Sequence, residues 1–174
     1  MKAFFGIFIT ILFCSSVNGQ QVYQSRILTL KLPSSAVKIS LSEKTPDIGT
    51  EQYKVAAAKL AKKKNYYNIN GMILGFWDQS ITGISTQPLE QKKEELIGMN
   101  RRRNATNVSG VIKTSNHIQF IILRYDQNDF SFYKFISENH NNQNILGFIQ
   151  FRPADKNRAT DLLTQVLNSI EFKN

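Results

Sequence analysis

The chain has 174 residues, of which 41% are hydrophobic and 20% charged, with 22 Lys plus Arg against 13 Asp plus Glu and a formal charge of +9. That length suits one ordinary domain, and 9 Gly with 4 Pro exclude collagenous or compositionally disordered chains. A single cysteine, Cys14, and two histidines exclude an internal disulfide, thiolate-rich metal sites and multi-histidine metal centres.

The chain opens with Met1-Lys2 and the apolar run Phe4 to Phe13, which is short for a membrane anchor. Val17-Asn18-Gly19 then presents a small apolar residue and a glycine at the two positions a signal peptidase reads. Residues 1–19 are thus expected to be a cleaved signal peptide, with Gln20 starting a single α+β domain over 20–174. The expected location is secreted or periplasmic. Lipidation at Cys14 is the alternative, but Phe13 stands where the lipoprotein peptidase prefers Gly, Ala or Ser. Cleavage removes Lys2, which takes the formal charge from +9 to +8. No later apolar stretch approaches ~18 residues, so no integral membrane segment is expected.

Val22 to Leu32 reads as a strand, Pro33-Ser34-Ser35 as a turn and Val37 to Leu41 as a second strand, together a hairpin. From Glu51 the chain turns helical, with Tyr53, Ala56, Ala57, Leu60 and Ala61 on one face and Lys59 and Lys62 to Lys64 towards its end. Met72 to Trp77 and Ile81 to Thr86 are extended, joined by a turn at Asp78-Gln79-Ser80. Pro88 suits the first turn of a second, peripheral helix with Gln87 as its cap and a thin apolar set, Leu89, Leu96, Ile97 and Met99. Strands follow over Val108 to Thr114, 118–125, 130–137 and Ile145 to Phe151, with a polar turn at His140 to Asn144. After Pro153, the stripe Ala159, Leu162, Leu163, Val166, Leu167 and Ile170 marks a buried helix over about 155–169.

The final segment, Gly147-Phe148-Ile149-Gln150-Phe151, a turn with Asp155, Ala159 to Leu167 and Ser169-Ile170-Glu171-Phe172, resembles the end of small proteins of the PsbP-like superfamily. The early hairpin followed by a helix matches that group's order of elements. The resemblance implies an α/β/α sandwich, an antiparallel sheet of about six strands between helices. The group includes an extrinsic photosystem II subunit, a Ran-binding nuclear import factor and exported bacterial proteins. None of its functional residues can be carried over by position. The basic stretch at Arg101 and the asparagine-rich turn at 139–144 have no counterpart in it.

Three groups of residues are candidates for function. Lys62, Lys63, Lys64, Arg101, Arg102 and Arg103 form a candidate anion-binding surface, read against ordinary solvated charge. Only Tyr66 and Tyr67 interleave aromatics with that charge, so nucleic acid is not an expected partner. His117, Glu138 and His140 would meet at one end of a 118–137 hairpin as a polar cluster. A hydrolase could use His117 and Glu138 with Asp126 and Asp129, provided two carboxylates stand about 5–9 Å apart. No glycine-rich phosphate loop, nucleophile elbow or metal-ligand spacing occurs, and no cofactor is implied. Trp77 is assigned to packing, and Gly75 and Gly147 are expected to let a helix approach the sheet. The sequons at Asn104 and Asn107 read as chance spellings in an asparagine-rich chain. The expected function is binding of an envelope partner or anionic ligand without catalysis, with an envelope hydrolase or a structural assembly factor as alternatives.

Overall fold

The computed structural model describes residues 20–39, 65–80 and 87–173. The expected signal peptide with Cys14, the helix expected from Glu51, the strand expected at Ile81 to Thr86 and Lys62 to Lys64 lie outside the described residues. The described residues form two α-helices and ten strands, the strands arranged in two antiparallel sheets. A small sheet joins β1 (Gln21–Gln24), β2 (Leu28–Leu32) and β10 (Glu171–Phe172) in the order β1-β2-β10. The large sheet contains β3 (Ala36–Lys38), β4 (Asn65–Ile69), β5 (Met72–Ser80), β6 (Thr106–Ser115), β7 (Ile118–Gln127), β8 (Phe130–Ser137) and β9 (Gln143–Phe151). Its order is β3-β4-β5-β9-β8-β7-β6.

The two helices lie on opposite faces of the large sheet. After a 3-10 turn at Pro153–Asp155, α2 (Lys156–Asn168) packs on β8, β9 and β2. Its buried stripe Ala159, Leu162, Leu163, Val166 and Leu167 shares one core with Leu28, Leu30 and Leu32 of the small sheet and Phe76, Phe120, Phe135 and Ile149 of the large one. On the other face α1 (Leu89–Arg102) crosses β6 and β7, where Ile97 packs in a second core with Ile121, Leu123 and Tyr125. Strands covered on both faces lose polar alternation. Hence Phe120, Ile121, Ile122 and Leu123 of β7 are consecutive and all buried.

The strand–turn–strand expected from Val22 to Leu41 is arranged differently. Ser25 to Ile27 breaks the first run, so β1 and β2 are themselves the hairpin, with Gln24 opposite Thr29. β3 leaves that pair and joins the edge of the large sheet beside β4. The break centres on Ser25, whose hydroxyl accepts the Ile27 and Leu28 N–H groups, diverting them from a continuous ladder, and is itself held by donating to Asp78 of β5. Asp78-Gln79-Ser80 is not a turn either. β5 runs on through it, with Asp78, Gln79 and Ser80 opposite Ile145, Asn144 and Gln143. Gln87 does not cap α1, because Pro88 occupies the cap position and the Gln87 side chain bonds Glu95 instead.

Left-handed backbone explains the abundant asparagines. Asn70, Asn104, Asn107, Asn116, Asn128, Asn141 and Asn142 all have positive φ, as does His117. The two-residue turns Asn70-Gly71, Asn116-His117 and Asn141-Asn142 carry positive φ at both positions, as type I′ hairpins require. Asn is the non-glycine residue that tolerates this region best. Asn104 follows the end of α1, and Asn107 forms the bulge where β6 shifts register against β7. Both sequons are therefore spelled by residues with backbone roles.

Gly75 and Gly147 do admit close neighbours, but the nearest atoms belong to aromatic rings rather than to a helix. Phe148 lies over Gly75 and Phe135 over Gly147. Trp77 is half-buried on the α1 face of the sheet, opposite Leu146.

Candidate functional site

The basic surface is built on the C-terminal end of α1. Arg101 and Arg102 lie in its last turn and Arg103 is its C-cap, where cations complement the exposed carbonyls. The backbone here is held firmly. Buried Asn100 donates its side-chain amide to the Leu96 carbonyl, and its own carbonyl accepts the Arg103 and Ala105 N–H groups. Gln127 of β7 donates to the Arg103 carbonyl at 3.1 Å. All three arginine side chains are exposed. The glutamates earlier in α1 are engaged elsewhere: Glu90 and Glu94 pair with Lys93 at 2.5 and 3.5 Å, and Glu95 accepts from Gln87. Among the described residues no ion pair neutralises Arg101, Arg102 or Arg103.

His117, Glu138 and His140 do fall at one end of the large sheet, but Glu138 and His140 are engaged separately. Glu138 accepts the Gln119 N–H through Oε1, and its own N–H donates to the Gln119 carbonyl. The His140 ring stacks on Phe172, with centroids 5.1 Å apart. His117 lies in the β6–β7 turn, just before β7 begins at Ile118. Among the described residues no hydrogen bond or ion pair joins the three.

Asp126 and Asp129 of the hydrolase alternative are at the opposite end of the hairpin from His117 and Glu138. His117 and Asp126 stand nine residues apart along β7, or ~30 Å at strand rise. Asp126 is already committed to structure, accepting from Ser131 and from Asn107 of the bulge, each at 2.6 Å. Those two bonds, with Arg124 nearby, hold its carboxyl below the usual range. The set His117, Glu138, Asp126 and Asp129 therefore cannot converge on one substrate.

Sequence reading missed a polar cluster that joins both ends of the described chain. Asp78 of β5 accepts the Tyr23 hydroxyl at 3.1 Å and the Ser25 hydroxyl at 2.5 Å, while Lys173 donates to the Ser25 carbonyl. Burial, and then the charge of Asp78, raise the Tyr23 hydroxyl above its ordinary pKa. The partners lie between 53 and 148 residues apart, so no spacing motif could reveal them. These bonds clip Tyr23, Ser25 and Lys173 together beside β5. Among the described residues no group of three His, Cys, Asp or Glu could hold a metal ion.

Burial also pushes Tyr66 up to about 12. A folded pKa above the unfolded value of ~10 means that stability is full below pH ~10 and declines as pH rises towards the folded value. Tyr66→Phe is therefore expected to retain more of its neutral-pH melting temperature at pH 11 than the parent does. Equal alkaline losses in the two proteins would refute a contribution from Tyr66.

With this arrangement established, comparison with solved structures is decisive for the fold. The solution structure of cyanobacterial PsbP (CyanoP) from Synechocystis sp. PCC 6803 superposes with a TM-score of 0.55, covering 95% of this chain and 99% of that one. The fold is PsbP-like. Sequence identity to CyanoP is 10%, so the likeness is one of fold alone. No family model and no curated protein matches the sequence. The PsbP-like architecture accounts for the sheet between α1 and α2, but the large sheet has seven strands where about six were expected. No helix among the described residues is long and apolar enough to cross a membrane.

Proposed function

We propose that this chain is an exported, non-enzymatic envelope protein that binds an anionic partner through Arg101, Arg102 and Arg103. The observation behind this reading is the exposed arginine triplet on a firmly bonded backbone, with the glutamates of the same helix drawn off by Lys93 and Gln87. Lys62 to Lys64 are proposed as further cations for the same kind of partner. Export rests on the apolar run and the Val17-Asn18-Gly19 site. An assembly role through a broad apolar surface has less support, because among the described residues the exposed large hydrophobics Val22, Val37, Met99 and Val111 sit on four different elements.

The test is heparin and anionic-liposome binding by the chain recovered from the export fraction, across a salt series. Exposed charges are screened over ~8 Å at physiological ionic strength, so binding is expected to be weak and to disappear as salt rises. Changing all three arginines to serine is expected to abolish it and leave the melting curve unchanged. Equal binding by the triple variant would refute the assignment to these arginines. A recovered chain that begins with acylated Cys14 rather than Gln20 would replace the secreted form with a lipoprotein.

A further inference from the structure

Among the described residues the large sheet ends at β3 on one side and at β6 on the other. β3, at the opposite edge, is blunted by its length of three residues, whereas β6 has ten. Among the described residues β6 pairs only with β7. Its bulge is confined to Thr106 to Ser109, which leaves Ser109 to Ser115 in regular register with one charged residue, Lys113.

The register shows which backbone groups face outward. The Glu138 N–H bonds the Gln119 carbonyl, so the odd-numbered residues of β7 direct their backbone groups towards β8 and the even-numbered ones towards β6. Since Val111 lies opposite Ile122, the odd-numbered residues of β6 bond β7. Gly110, Ile112 and Thr114 therefore present their N–H and C=O groups away from β7, a ladder at two-residue spacing that is unpaired among the described residues. Between them Val111 is 56% exposed, an apolar contact beside that ladder.

We infer that β6 is a docking strand for an extended segment of a partner protein, which adds antiparallel to the sheet and carries acidic residues at its C-terminal end. The inference rests on the reading of this chain as a binding protein. The charge pattern sets the polarity: only Asn104 and Ala105 separate Arg103 from the first residue of β6. The C-terminal end of an antiparallel strand would lie at that basic end. Main-chain bonds would supply affinity and the arginines the preference for acidic ends. A second copy of this chain is a poorer occupant, because its own β6 brings Lys113 and no carboxylate.

The probe is the octapeptide Thr-Val-Thr-Val-Thr-Val-Glu-Glu, followed by amide hydrogen exchange in the full chain. Saturating peptide is expected to slow exchange at Gly110, Ile112 and Thr114 and to leave Val111 and Lys113, already bonded to β7, unchanged. The sequence with both glutamates at the N-terminal end is expected to bind more weakly. Thr114→Pro removes one outward N–H without touching the ladder to β7, and is expected to weaken binding about tenfold, the worth of one backbone hydrogen bond. If that variant fails to fold, a peptide N-methylated at alternate residues tests the same bonds from the other side and is expected not to bind. Unchanged exchange at the three amides overturns the proposal, and does so separately from the proposed function if heparin binding persists. Protection without heparin binding supports the docking strand and overturns the arginine surface as a general anion site. A dimer in sedimentation that Thr114→Pro abolishes would assign the edge to a second copy and overturn the proposal.

Discussion

Leu167→Ala is expected to cost ~2–5 kcal/mol of folding stability, because it empties a buried site that the surrounding core cannot close over. Leu167 is 1% exposed on α2, in the core that the helix shares with β2 and the large sheet. Each buried leucine of this kind contributes ~1.5–3 kcal/mol through transfer from water, and the cavity left behind adds to the loss. Neighbouring Leu162 and Leu163, at 4% and 6%, belong to the same stripe, so their alanine variants should lose comparable amounts. Urea titration is the measurement. The midpoint should fall with an unchanged slope, since the surface exposed on unfolding barely changes. A loss below ~1 kcal/mol would mean that the stripe does not hold the helix to the sheet.

Gly147→Ala is expected to destabilise by ~1–3 kcal/mol or more, although it adds only one methyl group. The new Cβ would sit within the space of the Phe135 ring, with Cε1 at 2.7 Å and Cε2 at 2.8 Å. Phe135 is fully buried, so it can yield only by leaving its rotamer or by pushing β8 and β9 apart. Gly98 is the internal control. A methyl group there finds nothing nearer than the flexible end of Arg102 at 3.5 Å, and Gly98→Ala in mid-helix is expected to stabilise by ~0.5–1 kcal/mol. Thermal melts of the two variants should therefore move in opposite directions. A Gly147→Ala protein as stable as the parent would show that Phe135 has room the structure does not provide.

The candidate site was legible in part. Pro88 and the apolar set Leu89, Leu96, Ile97 and Met99, both local signals, announced the helix at whose C-terminal end the arginines stand. The engagement of the glutamates by Lys93 was not legible, because several cations lay within reach on the same helix. Asp126 and Glu138 are 12 residues apart, as a paired catalytic set could be, yet β7 and β8 form a long hairpin that holds them at opposite ends. The Tyr23, Ser25, Asp78 and Lys173 cluster was invisible, since its members come from three distant stretches of chain.

By itself the sequence determined what short-range physics controls. β8 was expected at its observed bounds, and α2 within a residue at each end, because strict alternation and a continuous apolar stripe admit one pairing with a core. The polar turn after His140 was legible for the same reason: two adjacent asparagines at positive φ allow a tight hairpin and little else. Tertiary structure alone decided where the runs break and what they pair with. Val22 to Leu32 is apolar enough for one strand, and its division depends on Ser25 being held by Asp78, 53 residues away. β5 passes through Asp78-Gln79-Ser80, a spelling that favours a turn, because β9 lies alongside and satisfies its backbone as far as Gln143. Phe135 over Gly147 and Phe148 over Gly75 join adjacent strands of one sheet, and only the register brings them together. Local propensities differ by a few tenths of a kcal/mol to about one, whereas burial and ladder pairing act on whole strands, so where the two conflict the packed sheet prevails.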